Sequence, residues 1–161
     1  MAEIKGITRP DVVEQDGGGA EPSYVVAGAI LSCTCGTQLN RLKIPYSHGV
    51  HLKEKAQLNV EDKNPMIHIM PFGNCTSLLN PAVQIGQLDI EGRKKAPCVP
   101  GISTSWMDGK TDVLVDGHPA LLSTCVNQCV YGGRIVIEDD GQELGGSSLE
   151  GTTSGFGGAI R

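Results

Sequence analysis

The chain has 161 residues, 13 Lys and Arg against 18 Asp and Glu, a net charge of -5 and an aromatic content of 4%, which fits one domain with flanking segments and a small aliphatic core. Its only basic cluster, Arg93-Lys94-Lys95, is too small for phosphate-backbone binding and reads as a solvated turn, so no nucleic-acid partner is expected. No apolar run approaches the ~20 residues of a membrane span, and Met1 to Gly6 holds no apolar signal core, so the expectation is cytoplasmic synthesis without signal peptide or membrane anchor, with thiols kept reduced.

Residues 1–22 are polar, interrupted by Gly17-Gly18-Gly19 and dotted with charge, and read as a flexible N-terminal arm. At Ser23 the texture changes. Tyr24 to Cys33 is apolar and partly β-branched, enough for one strand or two short ones broken at Gly28. Met66–Met70, Asp112–Asp116 and Arg134–Ile137 are similar short runs ended by Gly or Pro, and each is expected as a strand. Turn signals fall between them at Asn64-Pro65, Phe72-Gly73-Asn74, Asn80-Pro81, Pro100-Gly101, Asp108-Gly109, Asp116-Gly117 and Gly132-Gly133. Helical spacing is confined to Leu78, Leu79, Ala82, Val83 and Ile85, one short helix or turn after Asn80-Pro81 with Gly86 behind it. The body, residues 23–142, is therefore expected to be mainly β, built of short strands and many turns. Residues 143–161 form a Gly/Ser-rich tail with too little apolar surface to fold alone.

Six cysteines punctuate this body: Cys33, Cys35, Cys75, Cys98, Cys125 and Cys129. A zinc ribbon would offer two C-x-x-C pairs; here the intervals are C-x-C, two single cysteines and C-x3-C. A site drawn from such distant points has to be assembled by the fold, from turns at one end of several strands. The spacing equally admits buried small apolar side chains, since free cysteine is among the most buried residue types. The C-x-C pair also permits a redox reading, although no flanking residue announces the low-pKa setting such thiols need. Four histidines add little. His48, His51 and His118 read as solvated or hydrogen-bonded loop residues, and His68 as a face residue of the expected 66–70 strand. The carboxylates Asp108, Asp112, Asp116, Asp139 and Asp140 adjoin turns and do not follow a calcium-loop pattern. No nucleophile with its base and no phosphate loop is present, so the chain is not expected to be an enzyme.

Read in order, Val26–Cys33, Ile69–Pro81, Pro97–Pro100, Trp106 with Gly109-Lys110, Gly117–Leu122, Cys129–Ile135 and Asp140–Gln142 resemble the PAAR-like spike-tip family of contractile injection systems, over roughly residues 23–142. The resemblance implies a small conical β domain seated on a trimeric VgrG-like spike protein in a type VI secretion system or phage-tail-like particle. It also implies envelope piercing and possible attachment of effector cargo. PAAR proteins hold zinc near the apex with three histidines and one cysteine, whereas PAAR-like members carry cysteines. Carried over position by position, the metal ligands are Cys33, Cys75, Cys98 and Cys129, with zinc the expected ion and iron the other candidate; Cys35 and Cys125 lie outside the best matched pieces. The Pro-Ala-Ala-Arg tetrapeptide itself is absent, only Pro-Ala remaining in Asn80–Val83 and His118–Leu121.

A tip of this kind needs an apolar face for its trimer. From alternating strand positions the candidates are Val25, Ile30, Ile67, Ile69, Val113, Val115, Ile135 and Ile137, with filling of the interior as the competing role. The competing function is a cytosolic cysteine-rich zinc-binding or thiol redox protein centred on Cys33-Thr34-Cys35 and Cys125–Cys129.

Overall fold

The apolar run from Tyr24 to Cys33 divides at Gly28, whose backbone takes φ 95°, a conformation open to glycine and strained for other residues. Upstream, Tyr24 and Val26 make single bridges to Leu122 and Gln57. Downstream, β1 (Ile30–Cys33) lies between β2 (Asn40–Arg41) and β10 (Arg134–Asp139), and β9 (Val126–Gln128) completes an antiparallel sheet of order β2-β1-β10-β9. The register sets Leu31 against Ile137 and Cys33 against Ile135, so the first and last long strands are neighbours. Alternation along β10 turns Ile135 and Ile137 inward, as the two-residue period of a pleated strand dictates. The computed structural model describes residues 21–144; most of the expected arm and tail fall outside these.

Three two-stranded ribbons surround that sheet: β3 (His51–Leu52) with β4 (Lys55–Ala56), β5 (Asn74–Cys75) with β6 (Ala96–Pro97), and β7 (Lys110–Val115) with β8 (His118–Ala120). Asp116 and Gly117 close the last with φ of 53° and 84°, the paired positive angles of a tight hairpin whose twist matches its strands. His118, expected in a turn, instead opens β8. The one helix among the described residues, α1 (Pro81–Gln84), starts where the sequence signals it. The Asn80 side chain accepts the Ala82 N–H at 3.0 Å, and Pro81 occupies the first turn, where its missing N–H costs nothing. The protein is thus a small, mainly β domain.

The expected strand at Met66–Met70 is a turn. The Asn64 carbonyl accepts the N–H groups of Ile67, His68 and Ile69 at 3.2, 2.9 and 3.2 Å, and Met66 adopts φ 67°. Local bonds to one carbonyl replace a ladder there, so His68 is a buried turn residue rather than a strand-face residue.

The main core gathers Val25, Leu31, Leu42, Leu58, Ile69, Phe72, Trp106, Leu121, Ile135 and Ile137 with their neighbours. A smaller cluster, Cys75, Val83 and Ala96, lies under α1 and the β5–β6 ribbon. This corrects most of the expected docking face: Val25, Ile30, Ile69, Val115, Ile135 and Ile137 are all buried. A domain with so few large side chains needs its β-branched residues inside. Of that set only Ile67 is well exposed, with Val113 half-buried.

Gly86 follows α1 so closely that a Cβ would stand 2.3 Å from the Lys95 carbonyl oxygen. Because the opposing atom is backbone, Gly86→Ala is expected to destabilise the domain by about 1–3 kcal/mol, measured by urea unfolding.

Candidate metal centre

Cys33 closes β1, and the chain reverses immediately, Gly36 N–H donating to the Cys33 carbonyl at 3.0 Å. Thr76 then donates to the Cys35 carbonyl from both its N–H, at 2.9 Å, and its hydroxyl, at 3.0 Å, tying the C-x-C turn to β5 and Cys75. Cys98 N–H donates to the Gly73 carbonyl at 2.9 Å, and Cys129 N–H to the Gly133 carbonyl at 2.8 Å. The bonds at Cys35 and Cys98 join three remote segments, and the β1–β10 pairing brings the Cys129–Gly133 turn beside them.

There, Cys33, Cys35, Cys75, Cys98 and Cys129 line one cavity of about 20 Å³, together with Gly36, Phe72, Val99, Pro100, Tyr131, Gly133 and Ile135. The volume suits one water-sized guest. Gly133 has no side chain for a steric reason: a Cβ would lie 2.5 Å from Cys33 Sγ. Among the described residues no three His, Cys, Asp or Glu side chains stand together as a formed metal site. The five thiols therefore share a cavity rather than a completed coordination sphere.

Four of these sulfurs receive backbone hydrogen bonds. Gly101 N–H donates to Cys129 Sγ at 3.4 Å and Ser77 N–H to Cys75 Sγ at 3.5 Å, while Cys33 and Cys98 accept from the backbone of Cys35 and Phe72. Donors aimed at sulfur favour the thiolate, the form that binds a metal. Burial works the other way. It is the largest effect on Cys33, and with the fields of Cys35, Cys129 and Cys98 it pushes that thiol up to about 11 despite the bond from Cys35. Cys98 is likewise raised, first by burial and then by Cys75 and Cys129. Cys33 and Cys98 are thus held as neutral thiols, and an ion bound by them must displace their protons.

The structure brings together all four sequence-assigned ligand positions and adds Cys35, which the matched pieces omitted. The signal for it was present in the C-x-C spacing followed by Gly36, since a chain that reverses within one residue keeps both thiols at the same end. Cys125 is separated from the rest. It is buried in the main core and its Sγ accepts the Leu122 N–H at 3.3 Å, the small-apolar role the sequence left open. None of the four histidines lines the cavity.

A family model described as Domain of unknown function (DUF4280) matches residues 25–142, a span that contains all six cysteines. No curated protein matches the chain, and no solved structure does. Among the described residues no helix is long and apolar enough to cross a membrane.

Because Cys33 titrates near 9.0 when unfolded and about 11 when folded, the unfolded chain binds fewer protons between those values. The metal-free, reduced protein should keep the full contribution of neutral Cys33 below pH ~9 and lose it as pH rises towards ~11. Cys33→Ala should flatten that alkaline limb, seen by comparing urea midpoints of the two proteins from pH 8 to pH 11.

Proposed function

The chain belongs to the family described as Domain of unknown function (DUF4280), and we propose that its domain is the metal-stabilised tip of a contractile injection system, capping a trimeric VgrG-like spike. The observation that carries the metal half of this reading is the single cavity into which five thiols from four remote segments converge. The spike half rests on the ordered motif resemblance across residues 23–142. The mainly β fold and the match over residues 25–142 are compatible with both.

Cys33, Cys75, Cys98 and Cys129 would hold the ion, because these four sulfurs have backbone donors in place; Cys35 is the remaining thiol of the cavity. An all-sulfur donor set with no oxygen selects zinc, or iron as the other candidate, over magnesium or calcium. Bound there, the ion would supply cross-linking and no reaction chemistry. It would tie β1, the β5–β6 ribbon and the Cys129–Gly133 turn to one another. Structural zinc contributes roughly 10–16 kcal/mol in small peptides, as much as the whole stability of an ordinary domain. A point driven through an envelope needs that stiffness where its core is thinnest.

The trimer-facing surface must come from apolar side chains that are still exposed. Ile67 of the expected set qualifies, and Met66, Val50 and Leu114 are exposed as well.

The thiol redox alternative fares worse on chemistry. Redox-active cysteines sit in settings that lower their pKa, whereas burial raises Cys33 and Cys125, one from each pair on which that alternative is centred.

Elemental analysis of the reduced full-length protein should find about one zinc or iron per chain. Cys98→Ser should lower metal content and melting temperature together, while Cys125→Ser leaves metal content unchanged. Co-expression with a trimeric spike protein from the same genome should yield a complex of one domain per trimer. A stably folded, metal-free monomer that ignores such a trimer would overturn the proposal.

A further inference from the structure

At some remove from the thiols, a second cluster of titratable groups is built around His48. Its Nδ1 lies 2.9 Å from Asp116 Oδ2 and its Nε2 2.8 Å from Asp62 Oδ2. A ring nitrogen facing a carboxylate must donate, so holding both contacts requires both nitrogens to carry protons. The imidazolium form is therefore written into the geometry. Asp62 is the buried partner, its side chain 5% exposed, whereas that of Asp116 is 66% exposed. Asp62 Oδ2 also accepts the Asn59 N–H at 2.9 Å, and Oδ1 faces His68 Nε2 at 3.3 Å. His68 Nδ1 accepts the Asn64 N–H at 3.2 Å, which fixes its other nitrogen as the proton-bearing one. A buried carboxylate is thus neutralised by one imidazolium and hydrogen-bonded by one neutral imidazole.

These contacts join four segments: the loop between β2 and β3 that carries His48, the 59–62 turn, the 64–69 turn, and the tip of the β7–β8 ribbon at Asp116. Asn59 adds a bond from its side-chain amide to the Val115 carbonyl at 2.8 Å. Nearby titratable groups are Lys63, whose field reaches His68, Glu61, whose carboxylate accepts the Ser105 hydroxyl, and His51, which pairs with Ser47 Oγ at 3.2 Å on the His48 loop. Lys110 and Asp112 on β7 satisfy each other.

We propose that His48 is a proton-operated clasp, which in its charged form pins the β2–β3 loop to the β7–β8 tip and on losing one proton lets that tip go. Which bond is lost follows from burial. The Nε2–H must stay on Asp62, whose charge has little water to turn to, so the proton leaves Nδ1 and the well-hydrated Asp116 is released. Burial alone would lower the His48 pKa; the hydrogen bonds to Asp62 and Asp116 outweigh it and raise the group above its ordinary value. A histidine raised on folding contributes stability that is complete below its unfolded pKa and is lost as pH rises through the folded one. Acidification therefore closes the clasp and mild alkali opens it. The inference is independent of the metal and of the spike.

The test uses the full chain labelled with nitrogen-15 at histidine. At pH 6 the His48 ring should show two protonated nitrogens, while His68 shows one. Between pH 6 and pH 8.5, hydrogen exchange corrected for its intrinsic pH dependence should rise at least ~10-fold at residues 115–118 and in the 44–50 loop. Asp116→Asn should exchange rapidly at 115–118 already at pH 6, with little further change at pH 8.5, and serves if His48→Gln does not fold. A singly protonated His48 ring at pH 6, or exchange at 115–118 that ignores both pH and Asp116→Asn, would overturn the proposal.

Discussion

Cys98 packs against both apolar clusters of the domain, and the cavity it lines there carries five thiols alongside Phe72, Val99 and Ile135. The smaller cluster of Cys75, Val83 and Ala96 is too slight to anchor the β5–β6 ribbon and α1 by burial alone. Whatever fixes this end of the molecule must act through sulfur or through backbone hydrogen bonds. Both are present, and they coincide: the N–H groups of Ser77 and Gly101, with the backbone at Cys35 and Phe72, point at the sulfurs that also share the cavity. Those donors and the burial of the thiols pull in opposite directions, so the pocket is neutral when protonated and preorganised for charge when an ion supplies the compensating positive charge.

Elsewhere the small core is supplemented by buried polar groups that pair with backbone or with one another. Trp106 Nε1 donates to the Asp62 carbonyl at 3.1 Å, and the buried Asn127 amide donates to the Thr104 carbonyl at 3.0 Å. Ser32 Oγ donates to Glu138 at 2.5 Å across the β1–β10 pair. Each of these would be costly if left half-made, which gives the loops between short strands defined positions that hydrophobic area alone would not specify. The His48 cluster is the most highly charged case, with the buried Asp62 joining the His48 loop to the 59–62 and 64–69 turns and His48 reaching the tip of the β7–β8 ribbon.

Apolar runs with clear boundaries were legible. Tyr24–Cys33 with its break at Gly28, Arg134–Ile137 inside β10, Asp112–Asp116 largely inside β7, and the Asn80-Pro81 helix start each rest on local chemistry: a positive φ, alternation of β-branched residues, a hairpin turn, a cap. Met66–Met70 misled because its apolar, β-prone composition says nothing about where backbone hydrogen bonds go, and the Asn64 carbonyl captured three of them. The docking-face residues misled for a related reason. Alternation separates two faces of a strand without saying which face meets solvent, and in a core this small most β-branched side chains are needed inside.

By itself, then, the sequence determined that this is a mainly β body of short strands between turns, with cysteines placed at turns where the fold could gather them. Which thiols meet was decided by the tertiary structure, since pairing β1 with β10 and β5 with β6 is a long-range event that sets Cys33 beside the Cys129–Gly133 turn and Cys75 beside Cys98. The same folding step leaves Cys125 at the other end of β9, inside the carbon core, although in the sequence only three residues separate it from Cys129. Proximity along the chain fixes the turn, but only the register of distant strands fixes the depth and direction of a side chain.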